Sequence, residues 1–188
     1  MIKYHFTQNK YDCYGCRSCE QICPKNAIEM TFDEEGFLYP ILKENICIDC
    51  GLCNKVCPIE IKKSNLVEAI KIAIAAQALD KNILNKSSSG GLFTLLATSI
   101  LKSGGTVYGA AYTSNMYVTH LRVTSLEELE ALRGSKYVQS DINNTYKQAL
   151  SDLKKDIPVL FSGTPCQIHG LKLFLRKPKI RNYHPIHD

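Results

Sequence analysis

The sequence predicts an α+β protein built from two parts, a small cysteine-rich α+β domain followed by a larger α/β domain. Eight of the nine cysteines lie between positions 13 and 57. Farther along, β-branched apolar runs alternate with amphipathic stretches, which is typical of strands that alternate with helices. We therefore place a first domain at 1–63, a second at 64–176 and an irregular tail at 177–188.

The eight clustered cysteines form two copies of one pattern, C-x-x-C-x-x-C-x-x-x-C-P, at a constant offset. We call residues 13–19 and 47–53 the first and second cysteine loops. This is the spacing of bacterial ferredoxins with two [4Fe–4S] clusters, in which the fourth cysteine of each copy binds the other cluster. Each cluster is thus predicted on four cysteines: the first quartet is Cys13, Cys16, Cys19 and Cys57, and the second quartet is Cys23, Cys47, Cys50 and Cys53.

Structural zinc and disulfides are the alternative uses of so many cysteines. Zinc sites commonly use cysteines in pairs, and a third cysteine two residues further on has no place in a tetrahedral knuckle. Disulfides are rare in the cytoplasm, which is the predicted location because the chain starts without an apolar secretory segment. The apolar stretch around 70–79 contains Lys71 and Gln77 and is too short to span a bilayer. The pattern therefore favours iron–sulfur clusters.

The formal net charge of +5 counts every cysteine as neutral. Two oxidised clusters with their thiolates would each add about −2 and bring the protein to roughly +1. The basic residues are also scattered along the chain. We therefore predict no nucleic-acid partner.

The apolar patterns predict the order of strands and helices. In the first domain, two short strands are expected at Ala27–Phe32 and Phe37–Leu42, joined by a turn. In the second domain, the patterns predict strands at 69–79, 106–112, 117–123 and 157–161, helices at 90–102 and 143–155, and a short helix opened by the capping box Ser125-x-x-Glu128.

Two polar segments of the second domain could hold an anionic ligand. Ser88, Ser89, Gly90 and Gly91 precede the helix at 90–102, where free N–H groups could bind a phosphate. The alternative is an ordinary N-cap with close packing, and no Walker lysine follows. Arg133–Ser140 is the other segment.

Within Arg133–Ser140, Ser135 and Lys136 are the candidate ligand contacts. Lys136 could pair with a phosphate, and Tyr137 could stack on a planar ring. A solvated loop is the alternative. His120 and His169 are isolated in the sequence, and neither is given a role.

A third segment, Ser162–Gln167, follows the predicted strand at 157–161. Thr164 suits the N-cap, with Pro165 at the first helical position and Gln167 as the reciprocal cap. Cys166 then lies in the first turn, where the positive end of the helix favours a thiolate. Ligands of open α/β sheets bind at such loops. The alternative is a buried structural thiol beside a well-capped helix.

Four motifs in this order give the chain a family resemblance. They are Ser88–Phe93, Val107–Ala110, Gly134–Ser140 and Leu160–Gln167. Over residues 10–176, the chain resembles the beta subunit of coenzyme F-420 hydrogenase/dehydrogenase, in the branch with an N-terminal ferredoxin domain. The resemblance implies FAD as a second cofactor, electron exchange between flavin and clusters, and a deazaflavin coenzyme as hydride partner. The resemblance also implies that Ser88–Gly91, Ser135, Lys136, Thr164 and Cys166 are contacts of a flavin site.

Members of this family are longer than this chain, which predicts an incomplete flavin-binding-type α/β domain and a C-terminal truncation relative to the family. The predicted function is an iron–sulfur oxidoreductase subunit that relays electrons between two clusters and FAD, together with a redox partner protein or an additional subunit. Two alternatives stay open. The chain could be a non-enzymatic dicluster electron carrier whose second half docks onto a partner, or the product of a broken gene that folds only at its N-terminus.

Overall fold

The protein folds into two compact units in a computed structural model that describes residues 9–61 and 74–176. Of these residues, 9–61 and 164–176 form the first unit, and 74–163 form the second. The predicted division put 164–176 with the α/β domain. The structure differs there because the last helix buries its apolar side chains within the first unit. The predicted tail at 177–188 lies outside the described residues.

The first unit contains a two-stranded hairpin and three helices. Its elements are α1 (Ser18–Ile22), β1 (Ile28–Phe32), β2 (Leu38–Leu42), α2 (Pro58–Ile61) and α6 (Pro165–Leu175), with short 3₁₀ helices at Lys10–Asp12, Glu44–Ile46 and Asn54–Val56. The antiparallel strands pair from Ile28 opposite Leu42 to Phe32 opposite Leu38. In the turn between them, Asp33 accepts hydrogen bonds from the N–H groups of Glu35 and Phe37. Both predicted strands are confirmed, each one residue shorter at its start.

Helix α6 belongs to the core of this unit. Its apolar residues Leu171, Leu173, Phe174 and Leu175 are buried, and the helix contacts α1, α2 and the 3₁₀ helix Asn54–Val56. The buried Ser18 hydroxyl donates a hydrogen bond of 3.0 Å to the carbonyl of Gly170. Burial of four apolar side chains is worth several kcal/mol, on the order of 1.5–3 kcal/mol each.

The second unit is a three-stranded sheet with helices. Its elements are α3 (Lys81–Asn85), α4 (Leu92–Lys102), β3 (Thr106–Tyr112), β4 (Val118–Val123), a 3₁₀ helix (Glu128–Leu132), α5 (Thr145–Lys154) and β5 (Val159–Phe161). The strand order is β4–β3–β5, with β4 antiparallel and β5 parallel to the central β3. A parallel neighbour needs a long crossover, and here it includes α5.

The core of the second unit lies between the sheet, α4 and the 3₁₀ helix. It is formed by Ala97, Leu101, Val107, Ala111, Val123, Leu129 and Leu132. The Ser125–Glu128 capping box is present, since each residue's side chain accepts a hydrogen bond from the other's N–H. Two expectations differ from the structure. Residues 74–79 form no strand, and α3, whose N-cap is Asp80, is not among the predicted elements.

The predicted strand at 69–79 is therefore wrong for its described part, and 69–73 lie outside the described residues. Most of 74–79 is exposed, with only Ala78 buried. Ala78 donates its N–H to the carbonyl of Gly90 at 2.7 Å, so this segment runs along the start of α4 instead of joining the sheet. In neither described part of the chain is any helix long and apolar enough to cross a bilayer.

A buried carboxylate ties the sheet to α5. Asp152 accepts hydrogen bonds from the hydroxyls of Thr106 and Tyr108 and, in a fork, from Arg122 at 2.7 and 3.0 Å. Burial alone would raise the pKa of the Asp152 carboxyl, but the bonds from Arg122, Tyr108 and Thr106 outweigh it and lower this pKa. One ionised side chain thus connects β3, β4 and α5.

The Asp152→Asn variant should therefore lower the free energy of unfolding of the second unit by about 2–4 kcal/mol, because an amide leaves buried donors unsatisfied. Hydrogen exchange of the β3 and β4 amides would measure the loss. Asp156→Asn removes the same charge from an exposed position nearby and should leave exchange unchanged. Equal effects of the two variants would contradict the role given to Asp152.

Candidate cluster sites and ligand cavity

The two cysteine loops have the same backbone conformation. Positive φ angles occur at Gly15 (62°) and Arg17 (57°) in the first loop, and at Asp49 (49°) and Gly51 (65°) at the equivalent positions of the second. Arg17 and Asp49 carry side chains in this left-handed region, which costs on the order of 1 kcal/mol each. Such strain is typical of functional loops, and here it turns the backbone around the cysteine sulfurs.

The first quartet lines one cavity, so Cys57 stands beside three cysteines of the other motif. Tyr14, Met30, Pro40 and Ile59 complete much of its wall. The second quartet lines another cavity, in which Cys23 joins the three cysteines of the second loop. The structure therefore groups the eight cysteines into the two quartets that the spacing predicts.

Both cavities have features that suit [4Fe–4S] clusters. The N–H groups of Ala27 and Asp49 donate to the sulfurs of Cys23 and Cys47 at 3.2 and 3.4 Å, a kind of bond that stabilises cluster thiolates. Within residues 9–61 and 74–176, no group of three or more His, Cys, Asp or Glu side chains lies close enough to hold a single metal ion. A cube binds each thiolate to a different iron, so its ligands stand farther apart.

The two quartets differ in burial. In the first, burial raises the pKa of the Cys16 thiol to about 12 and also raises the pKa of Cys13 and Cys19, against the opposing effect of backbone N–H bonds. In the second, burial raises the pKa of Cys53, whereas Cys50 is exposed. The first quartet is thus the more shielded environment for negative charge.

A third cavity, of about 400 Å³, lies in the second unit, and we call it the serine cavity. This volume is at the lower end of the range for small-molecule sites. Its wall includes the loop before α4 with the start of that helix, the turn after the 3₁₀ helix Glu128–Leu132, two residues of β3, and Ser162 just after β5. Predicted residues in that wall are Ser88, Ser89, Gly90, Gly91, Ser135 and Lys136, which Ser162 joins.

The loop before α4 is shaped by close backbone packing. A Cβ on Gly90 would lie 2.6 Å from the carbonyl oxygen of Ala76, and Gly91 has a φ of +76° with Ile83 2.9 Å from its missing Cβ. Ser88 accepts a hydrogen bond of 2.9 Å from the N–H of Ser135. Two of the predicted motifs are thereby joined at one cavity.

Two basic side chains border the serine cavity, and they are held differently. The Lys136 ammonium donates to the carbonyls of Ala131 and Arg133, at 3.2 and 2.6 Å, and burial lowers the pKa of Lys136. Arg133 is bound to Glu130 through Nη1 at 2.9 Å. Its Nε is buried without a hydrogen-bond partner among the described residues. Arg133 opens the predicted polar segment but was not among the predicted ligand contacts, and it brings to this wall a buried donor that the described residues leave unpaired.

His120 also has a structural role that its isolation in the sequence concealed. It is buried, with Nδ1 2.7 Å from the Ser140 hydroxyl and Nε2 2.8 Å from the Ser162 carbonyl. Burial lowers the pKa of His120, and a carbonyl can only accept, so the neutral ring carries its proton on Nε2. His120 thus holds the end of β5 beside the end of the Gly134–Ser140 segment.

The remaining predicted residues do not join the serine cavity. Thr164 and Cys166 lie in the first unit, at the start of α6, and line none of the three cavities. Their capping motif is present as predicted, since Gln167 accepts a hydrogen bond from the N–H of Thr164 at 2.9 Å. Tyr137 is 92% exposed and is also absent from the cavity wall.

Two family models match the chain, one over the cysteine motifs and one over most of the second unit. Residues 12–61 match the family model of the 4Fe-4S dicluster domain. Residues 73–147 match the N-terminal domain of the beta subunit of coenzyme F420 hydrogenase/dehydrogenase. The resemblance predicted from the motifs is confirmed by these two matches.

Curated archaeal relatives resemble most of this chain. A subunit of the F(420)H(2) dehydrogenase of Methanosarcina mazei is 22% identical in an alignment of 177 positions that covers 86% of this chain and 48% of the relative. Coenzyme F420-dependent sulfite reductase of Methanocaldococcus jannaschii is 30% identical in an alignment of 182 positions that covers 94% of this chain and 26% of the relative. The chain therefore spans about half of one relative and a quarter of the other.

A shorter match is to a ferredoxin. An uncharacterised ferredoxin of Methanocaldococcus jannaschii is 44% identical in an alignment of 48 positions that covers 24% of this chain and 26% of that protein. The dicluster domain therefore supports two [4Fe–4S] clusters in this chain.

The quartets predict which pairs of cysteine replacements share a cluster. With two cubes of about four irons each, Cys13→Ala with Cys57→Ala should leave about four irons per chain. Cys47→Ala with Cys57→Ala should leave about none. Iron and sulfide analysis of anaerobically purified protein would measure this, with Cys166→Ala as the control that keeps both clusters. Equal iron loss in the two double variants would contradict the quartets.

Proposed function

Because the chain joins a dicluster domain to an F420 hydrogenase/dehydrogenase beta-subunit domain, we propose that it relays electrons between two [4Fe–4S] clusters and a bound FAD. The observation that carries the flavin part is the serine cavity, where the Ser88–Gly91 and Gly134–Ser140 segments meet. The two domains by themselves already make the chain an iron–sulfur subunit for electron transfer.

The phosphate end of the flavin is assigned to the loop before α4. The first N–H groups of an α-helix have no partner within the helix and favour anions. The glycines at 90 and 91 let the backbone pass close to its neighbours, and the first residues of α4 line the cavity. The buried Nε of Arg133 supplies a charged donor in the same wall.

The rest of the cavity would hold a planar group against small side chains. Gly109 and Ala110 of β3 line it together with Leu132 and Phe93, and they present an apolar surface. Lys136 is held by backbone carbonyls, so it would shape the wall more than neutralise a phosphate. FAD, when bound, supplies two-electron hydride chemistry and single-electron exchange in one cofactor.

The first and second quartets would hold the two clusters, which carry electrons one at a time. A deazaflavin coenzyme is the proposed hydride partner, since both long relatives are named for F420. An additional subunit is the proposed protein partner, since one relative is named as a subunit.

The composition of the purified protein tests the proposal directly. We expect about eight irons and about one FAD per chain after anaerobic purification. Flavin fluorescence after acid extraction, with iron and sulfide assays on the same sample, would measure both. About eight irons without flavin, even after incubation with FAD, would contradict the flavin site and favour a dicluster electron carrier. Zinc in place of iron would contradict the cluster sites.

Arg133→Gln should weaken FAD binding about tenfold, which corresponds to about 1.4 kcal/mol, because a charged donor to the phosphates is lost. Fluorescence titration of flavin-free protein would measure the dissociation constant. Lys102→Gln is the matched control, since it removes one positive charge at the far end of α4. An equal loss in both variants would indicate a general charge effect instead of a contact at Arg133.

A further inference from the structure

Two helices in the wall of the first quartet's cavity pack against α6. Ser18 and Cys19 of α1 line this cavity, as do Pro58 and Ile59 of α2. Both helices contact α6 within the first unit. Cys57 directly precedes α2, so two of the four predicted ligands of the first cluster lie in or next to helices that α6 supports.

The cavity of the second quartet has a different wall. It is lined by the second cysteine loop, by Leu42 and by residues between Cys23 and Ile28. None of the described residues that line it lies in α1, α2 or the 3₁₀ helix Asn54–Val56, which are the elements that contact α6 most. Cys23 and Cys53 adjoin those elements but lie outside them. Helix α6 therefore supports the wall of the first cavity and not that of the second.

Ser18 connects α6 directly to the first cysteine loop. It is fully buried, and its hydroxyl donates to the carbonyl of Gly170, which lies 152 positions later in the chain, at 3.0 Å. Its backbone N–H also donates to the sulfur of Cys16. The equivalent residue of the second loop is Leu52, which lines the cavity of the second quartet and has no hydroxyl to form such a bond.

The packing of α6 contributes to the free energy that keeps the first loop closed. A buried cluster is released when the segments that carry its ligands open locally, and the free energy of that opening includes every buried contact that is lost. Leu171, Leu173, Phe174 and Leu175 of α6 are buried in the first unit. Opening of the first site against α6 exposes part of this apolar surface to water, which is unfavourable.

We propose that α6 is an accessory part of the first cluster site and determines how firmly the first quartet retains its cluster. The match to the dicluster domain ends at residue 61, so α6 extends this site beyond that domain. Ser18 is a positioning residue, since it holds the loop that carries Cys16 and Cys19 against α6. The second quartet retains its cluster without this support. The inference depends on the clusters and not on a bound flavin.

Release of each cluster can be followed separately in the holoprotein of the full chain. An iron chelator and iodoacetamide are added anaerobically, and site-resolved mass spectrometry measures how fast each cysteine is alkylated after its iron is lost. Leu171→Ala should speed alkylation of the first quartet about tenfold or more and leave that of the second within about twofold. Leu101→Ala removes a similarly buried leucine from the second unit and should leave both rates within about twofold.

A second pair of variants tests the Ser18 hydroxyl without creating a large cavity. Ser18→Ala should speed alkylation of the first quartet about fivefold, since one buried hydrogen bond is lost. Leu52→Ala at the equivalent position should speed alkylation of the second quartet only. Should Leu171→Ala bind no iron, the result for Ser18→Ala decides alone. Equal acceleration of both quartets by Leu171→Ala or Ser18→Ala, acceleration of the second quartet alone, or no acceleration would overturn the proposal.

Discussion

The fourth cysteine of each motif lies in the quartet of the other motif. This arrangement constrains how the elements of the first unit can pack. Helix α1 is five residues long, with Cys19 in its first turn and Cys23 directly after it. Since these cysteines line different cavities, the helix cannot tilt or rotate without disturbing both. At a rise of about 1.5 Å per residue, it sets the spacing between the two cavities. The hairpin and α6 then pack around a segment whose position is already determined.

The second unit depends in a similar way on its central strand. Tyr108 of β3 donates to Asp152, and its ring stacks on Phe161 with the ring centres 5.3 Å apart. The ring of His120 lies equally close to Phe161. A continuous set of contacts therefore leads from the carboxylate on α5 through the sheet to the carbonyl of Ser162 in the serine cavity. Disruption of Asp152 would alter the cavity through packing and not through charge.

Local patterns in the sequence predicted most elements, because they depend on near neighbours. The cysteine spacing predicted both quartets, and the β-branched runs predicted strands β3 and β4 to within a residue. The segment at 74–79 is apolar enough for a strand, but its backbone hydrogen bond goes to Gly90. The role of His120 could not be predicted, since it comes from a residue as distant as Ser162. Arg133 lies in a predicted polar segment, but its unpaired donor depends on the burial of one guanidinium nitrogen, which the sequence does not reveal.

The placement of α6 shows why the existence of a helix is easier to predict than the elements it packs against. Thr164 and Gln167 cap the helix through bonds within four residues, and this geometry is the same wherever the helix packs. Its neighbours are decided by the opposite end, where Leu171 and Phe174 are buried and Gly170 accepts the Ser18 hydroxyl. Burial of those side chains contributes several kcal/mol to the packing of the helix, on the order of 1.5–3 kcal/mol each, whereas the capping bonds are the same in any surroundings. The Gly-Thr-Pro-Cys segment therefore follows the helix to the first unit, and Cys166 lies near enough to Cys16 to raise the pKa of that thiol slightly through its charge. What resembles a flavin-domain motif in sequence is, in its contacts, part of the structure that surrounds the first quartet.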